Sequence, residues 1–332
     1  MAAERAGVFE HHSLPGGVSL LVWNTRKFKT VSLRITLLEN LDDQAGSRAL
    51  TSGLLRRGCS SYPDMMSLSR RLEELYGAGL SIDVSRLGER QNLNVRLRVV
   101  NDRFVGEKST AVRHGLDLMR EILTDPVLED GGFRKAEFEQ ERTNLIRSIR
   151  GLLDDKMAYA HRQLLEAMFP GEPYALFEWG TEETAKTLDA RVVLAEHLLR
   201  LRQAPIEAYA VGDLDAGQVE QIGETLSGLS RREENRAVKR ECWVEPVPRK
   251  LVTEELPLAQ SKLLIGYRLD TRGMDDREYF ALSVYNAVLG SGSSYSKLFR
   301  EVREERSLAY YAHSSMDRLK GFLLLSAGVA AA

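Results

Sequence analysis

The sequence predicts an α+β fold: a mostly antiparallel sheet with helices packed on one face, duplicated as two related domains, the second incomplete. Three observations predict it. The stretch NLNVRLRVV (92–100) alternates Leu93, Val95, Leu97 and Val99 with Asn94, Arg96 and Arg98, the pattern of a sheet with one wet face. Apolar residues at the 3.6-residue helical period follow and precede such strands. The order helix, strand, turn, strand over 67–100 returns over 294–329, which suggests an internal repeat.

The elements follow from the same patterns. VSLLVWN (18–24) and TVSLRITLL (30–38) are β-branched, apolar strands joined by the basic link TRKFK. A helix is expected over 44–57, and Pro63 suits the start of the next one. In SLSRRLEELY (67–76), Leu68, Leu72, Leu75 and Tyr76 share a helix face that ends at GAG. Strand 80–84, a turn at Gly88 and strand 92–100 come next. Helix 108–123 keeps Val112, Leu116, Met119 and Leu123 in register. Helical stretches over 133–151, 155–169 and 181–200, then a strand at 206–212, complete the first half.

The segment SRREENRAVKRE (230–241) is charged and almost free of apolar residues, as an interdomain linker is. The expected organisation is a first domain over 1–229, a linker over 230–245 and an incomplete second domain over 246–332. In that domain, strand 262–269 and helix 276–289 lead through GSGSS to helix 294–307, with Tyr295, Leu298, Phe299 and Val302 inward. Strands 308–316 and 321–329 close the chain, whose apolar end AGVAA is the ground for expecting truncation.

Composition excludes several functions. With 46 basic and 48 acidic residues the net charge is -2, so no long-range field gathers nucleic acid or anionic membrane. The N-terminus lacks the apolar core of a secretory signal, and the longest apolar run is too short to span a membrane. A cytoplasmic protein without a membrane or nucleic-acid partner is expected. Cys59 and Cys242 are far apart and form no ligand spacing.

Few side chains carry chemistry. The histidines His11, His12, His114, His161, His197 and His313 form no HExxH, HxxEH or zinc-finger spacing. The pair His11–His12 beside Glu10 points apart on a strand, and His161 does not face Glu166 on a helix. Asp154–Asp155 reads as a helix-surface pair, and Cys59 as a small buried hydrophobe. GSGSS (290–294) lacks the lysine of a nucleotide loop. Arg303 and Tyr310 straddle a helix end and the start of the next strand, where their donors suit a carbonyl or carboxylate.

The motifs LLRRGCSSYPD, RRLEELYGA, FRKAEFEQERTNL, DDKMAYA and SSYSKLFREVREERSLAYY, in this order, carry a resemblance. Over about 13–330 the chain resembles the pitrilysin/insulinase-type metallopeptidases, in particular a bacterial branch associated with 5-aminopentanol modification of elongation factor P. The resemblance implies an HxxEH zinc motif on the helix before Gly58, and its positions fall on Ala49, Ser52 and Gly53. The distal zinc-ligand glutamate falls on Ser148 and a supporting acid on Glu141. Neither base nor imidazole is present, so no catalytic residue, metal or cofactor is expected.

The resemblance also implies that Arg303 and Tyr310 bind peptide substrate, and that the chain is the non-catalytic subunit of a heterodimer. Its partner would be an HxxEH-bearing relative, the two enclosing a chamber for a peptide or unfolded segment. Two other readings stand beside this one. One is an active zinc metalloendopeptidase with displaced ligands at His11, His12 and Glu141; the other is a peptide-binding chaperone or scaffold.

Overall fold

The computed structural model describes residues 9–106, 110–152, 154–229, 237–239, 241, 243, 245, 248–256, 260–292 and 294–330. The chain forms two compact units. The first comprises Met1–Arg86, Arg90–Arg147 and Glu178–Lys239; the second comprises Leu87–Glu89, Ser148–Phe177 and Arg240–Ala332. The segment 148–177, which the sequence reading assigned to the first domain, therefore clusters with the second unit. Most of the expected linker at 230–245, together with Cys242, lies outside the described residues.

In the first unit, β1 (Glu10–Leu14), β2 (Val18–Asn24) and β3 (Thr30–Asn40) precede helices α1 (Ala45–Leu55) and α2 (Met65–Glu74). The hairpin β4 (Gly79–Leu87) and β5 (Arg90–Val100) leads to α3 (Ala111–Thr124). Short strands β6 (Leu128–Glu129) and β7 (Gly132–Phe133) precede α4 (Lys135–Gly151). The sheet has the order β1-β2-β8-β3-β5-β4, where β8 is Ile206–Gly212. β3 pairs antiparallel with both β5 and β8, and β2 runs parallel to β8.

The alternation read from the sequence decides the two faces. Val31, Leu33, Ile35 and Leu37 of β3 join Leu93, Val95, Leu97 and Val99 of β5 in the core, with Leu116 and Met119 of α3. Ser32, Arg34 and Thr36 point the other way, where Arg34 donates to Thr36 Oγ1 at 3.0 Å and Asn94 Oδ1 at 2.6 Å. Burial of each large aliphatic side chain is worth roughly 1.5–3 kcal/mol.

The stretch expected as one helix over 181–200 is two. α6 (Glu182–Thr187) stops, Leu188 turns extended, and Asp189 caps α7 (Ala190–Gln203) through the amides of Arg191 and Val192. The sequence reading also lacked β1, whose polar residues sit on a sheet edge, and α8 (Ala216–Ser227), which Asp215 and Gln218 cap reciprocally.

The second unit holds α5 (Lys156–Met168) and a three-stranded antiparallel sheet, β10-β11-β9, formed by β9 (Gln260–Arg268), β10 (Ala309–Asp317) and β11 (Phe322–Ala330). This order repeats that of β4-β5-β3: in each unit the strand before the hairpin pairs with the hairpin's second strand. Leu165, Met168, Phe169 and Tyr174 pack with Phe322 and Leu324 on one face. Gly266 leaves room for Met168, whose thioether would have to shift for any Cβ there. Beneath them Arg268 and Lys320, both buried, pair with Glu172.

Helix α9 (Asp276–Asn286) continues into a π-helical turn at Ala287–Ser291. The helix expected over 294–307 narrows to π-helical turns at Leu298–Glu305, and Tyr295, expected inward, is 91% exposed. Ser296 is buried in its place and accepts the backbone amide of Arg300 at 3.0 Å. β9 and α9 carry several exposed apolar side chains, among them Leu263, Ile265, Phe280 and Val284, whereas Phe322, Leu323 and Leu324 of β11 are buried.

Candidate functional site

Helix α1 carries the positions where a metal motif would stand, and every one of its residues is buried. It is held at its start by an ionic network that the sequence reading missed. Arg48, 1% exposed, donates to Glu39 Oε2 at 3.0 Å, Asp42 Oδ1 at 2.6 Å, the Asn40 carbonyl at 3.0 Å, and Gln91. Arg200 of α7, also buried, donates to Glu196 Oε2 at 2.9 Å and Ser47 Oγ at 3.3 Å. A buried charge is tolerable only with such pairing. The available signal was the one charged residue in a helix whose other positions are apolar or small and polar.

Zinc does not fit what α1 offers. Ala49 presents a methyl group. The Ser52 hydroxyl is turned back on its own helix, donating to the Ala49 carbonyl at 2.8 Å. At Gly53, a Cβ would stand 2.6 Å from Glu141 Oε2 on α4, so the carboxylate occupies the space a histidine would need. The other oxygen of Glu141 accepts from Arg57 Nε at 2.7 Å, from Arg57 Nη2, and from Asn144 Nδ2 at 3.3 Å. Arg57 therefore supplies the positive charge beside Glu141, without an orbital or open position for catalysis. Ser148, two turns further along α4, is exposed.

The displaced-ligand reading is not assembled either. His11 and His12 project to opposite faces of β1: His11 hydrogen-bonds Ser19 Oγ at 2.5 Å, while His12 faces α8. Among the described residues no group of three His, Cys, Asp or Glu side chains could hold a metal ion. Cys59 is buried, and burial pushes its thiol up to about 11, which keeps it protonated and unreactive. His197 is fully buried; burial lowers it to about 4, and its Nε2 lies 2.7 Å from the Leu123 carbonyl. Asp155 caps α5 by accepting from Met157 and Ala158, and Glu166 pairs with Arg162.

Arg303 and Tyr310 both belong to the second unit. Arg303 lies exposed on the turns at Leu298–Glu305, its guanidinium 4.6 Å from the Phe299 ring centroid. Tyr310 is exposed at the start of β10, where the register shifts between Ala309 and Tyr311. A bulge of this kind re-aims a side chain out of the ladder. Ser307, three residues earlier, has a φ of 50°, which fixes the reversal into the strand. Gly290 serves packing, since a Cβ there would meet the Ser314 amide at 2.6 Å.

Residues 197–332 match the sequence family described as "Peptidase M16 inactive domain". The chain is 34% identical over 323 residues to the "Probable inactive metalloprotease YmfF" of Bacillus subtilis, spanning 97% of this chain and 75% of that protein. It is similar to a crystal structure of a conserved protein from Enterococcus faecalis, with a TM-score of 0.87 and 30% identity over 97% of this chain and 75% of the other. A peptidase M16 inactive domain from Pseudomonas fluorescens shares the fold, with a TM-score of 0.80, 20% identity, and 98% and 75% coverage.

Proposed function

The chain belongs to the M16 peptidase family, and from that premise we propose that it is the non-catalytic subunit of a peptidase-like heterodimer. In this reading it forms a peptide-binding chamber with a zinc-bearing relative that carries HxxEH. The observation that carries it is α1. The helix is kept, packed and anchored, while Ala49, Ser52 and Gly53 supply no ligand and Glu141 is held by Arg57. Such a helix supports a fold that matters for something other than hydrolysis by this chain.

Peptide binding falls to Arg303 and Tyr310, exposed and rich in donors at a helix end and a strand bulge. The guanidinium and hydroxyl would hold a backbone carbonyl of the substrate in the chamber. The proposed setting is the cytoplasm, with elongation factor P modification as the context that the sequence resemblance supplies. Among the described residues no helix is long and apolar enough to cross a membrane.

The test is reconstitution of this chain with an HxxEH-bearing relative, followed by titration calorimetry and a peptidase assay. A stable pair with zinc in the relative alone is expected, its activity lost without this chain. Arg303→Ala should weaken peptide binding by about ten- to a hundredfold, the loss of one charged hydrogen bond, and leave the melting temperature in place. Stoichiometric zinc on this chain alone would overturn the reading. Peptide binding with no such partner would instead indicate a scaffold.

A further inference from the structure

A cavity of about 520 Å³ opens in the first unit between β1, β2 and α8. That size suits a small ligand or a single long side chain. Its walls are apolar, built from Leu14 and Leu20 of the strands and Val219 of the helix. Three observations give it chemical character.

Gly223 sits inside α8, where glycine weakens a helix relative to alanine. A Cβ there would enter the space between helix and strand, 3.4 Å from Leu14 Cδ2. Glu220 and Glu224, both exposed, stand one turn apart on the cavity lining and form no ion pair among the described residues. Like charges at this spacing repel. Finally, His12 Nε2 is enclosed without a hydrogen-bond partner, the Glu10 carboxylate lying 3.9 Å away. Two carboxylates without counter-charge among the described residues, beside an apolar cleft, together suit a cation on an aliphatic stem.

The strand beside the cavity adds to this. β1 is the edge of its sheet, paired only with β2 among the described residues. Its outer backbone amides and carbonyls pair with no other strand among the described residues, and His12 and Leu14 alternate toward α8. An extended peptide added to this edge would direct every second side chain toward the cavity.

We propose that this cavity binds the lysine or arginine side chain of an extended peptide that pairs with the free edge of β1. The aliphatic stem lies against Leu14, Leu20 and Val219, and the cationic head meets Glu220 and Glu224. The site lies on β1 and α8, so it stands independently of Arg303, Tyr310 and the heterodimer.

The probe is a fluorescein-labelled heptapeptide alternating valine and lysine, titrated into the full chain and followed by anisotropy. The same peptide with norleucine or glutamate replacing lysine is the comparison. Saturable binding of the lysine peptide is expected, with the other two at least about tenfold weaker. The double variant Glu220→Gln, Glu224→Gln should weaken binding about tenfold, and Gly223→Met should abolish it by filling the cleft. Gly223→Ala, a favourable change for the helix itself, gives a second check with a folded protein and should weaken binding several-fold. No saturable binding, equal binding of the glutamate peptide, or unchanged binding in both Gly223 variants would overturn the proposal.

Discussion

β3 and β9 hold the same place in their sheets, each pairing with the second strand of the hairpin that follows in its unit. Their surroundings differ. β3 is flanked on both sides by β5 and β8, and Val31, Leu33, Ile35 and Leu37 are buried under helices. β9 pairs with β11 alone among the described residues, and Leu263, Ile265 and Tyr267 remain 47%, 40% and 50% exposed. Both strands carry apolar residues at alternate positions. An alternating pattern states which residues share a face, and the neighbouring elements decide whether that face is covered.

The largest expected effect is on the covered strand. Leu33→Ala should cost about 2–5 kcal/mol in chemical denaturation, the loss of a core side chain plus the cavity left behind. Comparable losses from Leu33→Ala and from truncation on β9 would break the contrast.

The pH dependence of the first unit sharpens it further. Burial, with a smaller push from the Arg200 guanidinium, lowers His197 from 6.5 to about 4 against the opposing hydrogen bond from Nε2 to the Leu123 carbonyl, and Nδ1 has no partner among the described residues. The unfolded chain takes up that proton first, so the stabilising contribution is complete above about pH 6.5 and shrinks as pH falls toward 4. The total is about 3 kcal/mol over that range, at roughly 1.4 kcal/mol per pH unit. Denaturation midpoints between these limits should fall for the native chain and flatten for His197→Gln. An identical slope in the variant would assign the pH effect elsewhere.

Arg57→Ala removes the charge held against Glu141 and should cost about 2 kcal/mol, as a charged hydrogen bond in a largely buried setting does. Arg57→Met combined with Glu141→Leu should recover most of it. If the single variant is neutral, the pair adds nothing to holding α1 on α4. The smallest effect belongs to β9, where Ile265→Ala should cost about 1 kcal/mol or less, as exposed substitutions do. A larger loss would mean that the face is covered in solution.

Periodicity placed the strands whose two faces differ chemically: β2 is found at the expected residues, and β3 and β5 extend the expected strands by only two residues each. It missed β1, because His11, His12 and Ser13 give no apolar alternation on a sheet edge. It missed α8, whose mark in the sequence is the capping box of Asp215 and Gln218 rather than an apolar period. The candidate metal positions were legible only through the family resemblance, and residue type then showed that Ala49, Ser52 and Gly53 hold neither imidazole nor carboxylate. Arg303 and Tyr310 were named from the sequence at a helix end and strand start, and the turns and strand that hold them are those elements.

The sequence by itself determined the alternation of the sheet, the repeated helix–strand–strand order and the absence of imidazole at Ala49, Ser52 and Gly53. These are properties of nearest neighbours along the chain and of side-chain chemistry. The tertiary structure decided that Glu141 stands against Gly53 under the hold of Arg57, that Arg48 draws in Glu39, Asp42 and Gln91, and that Gly223 leaves a cavity open beside His12. Apart from Arg48 with Glu39 and Asp42, those pairings join residues tens of positions apart or more, across strand order and helix packing. No local pattern encodes which distant side chain will fill the space that a missing side chain leaves.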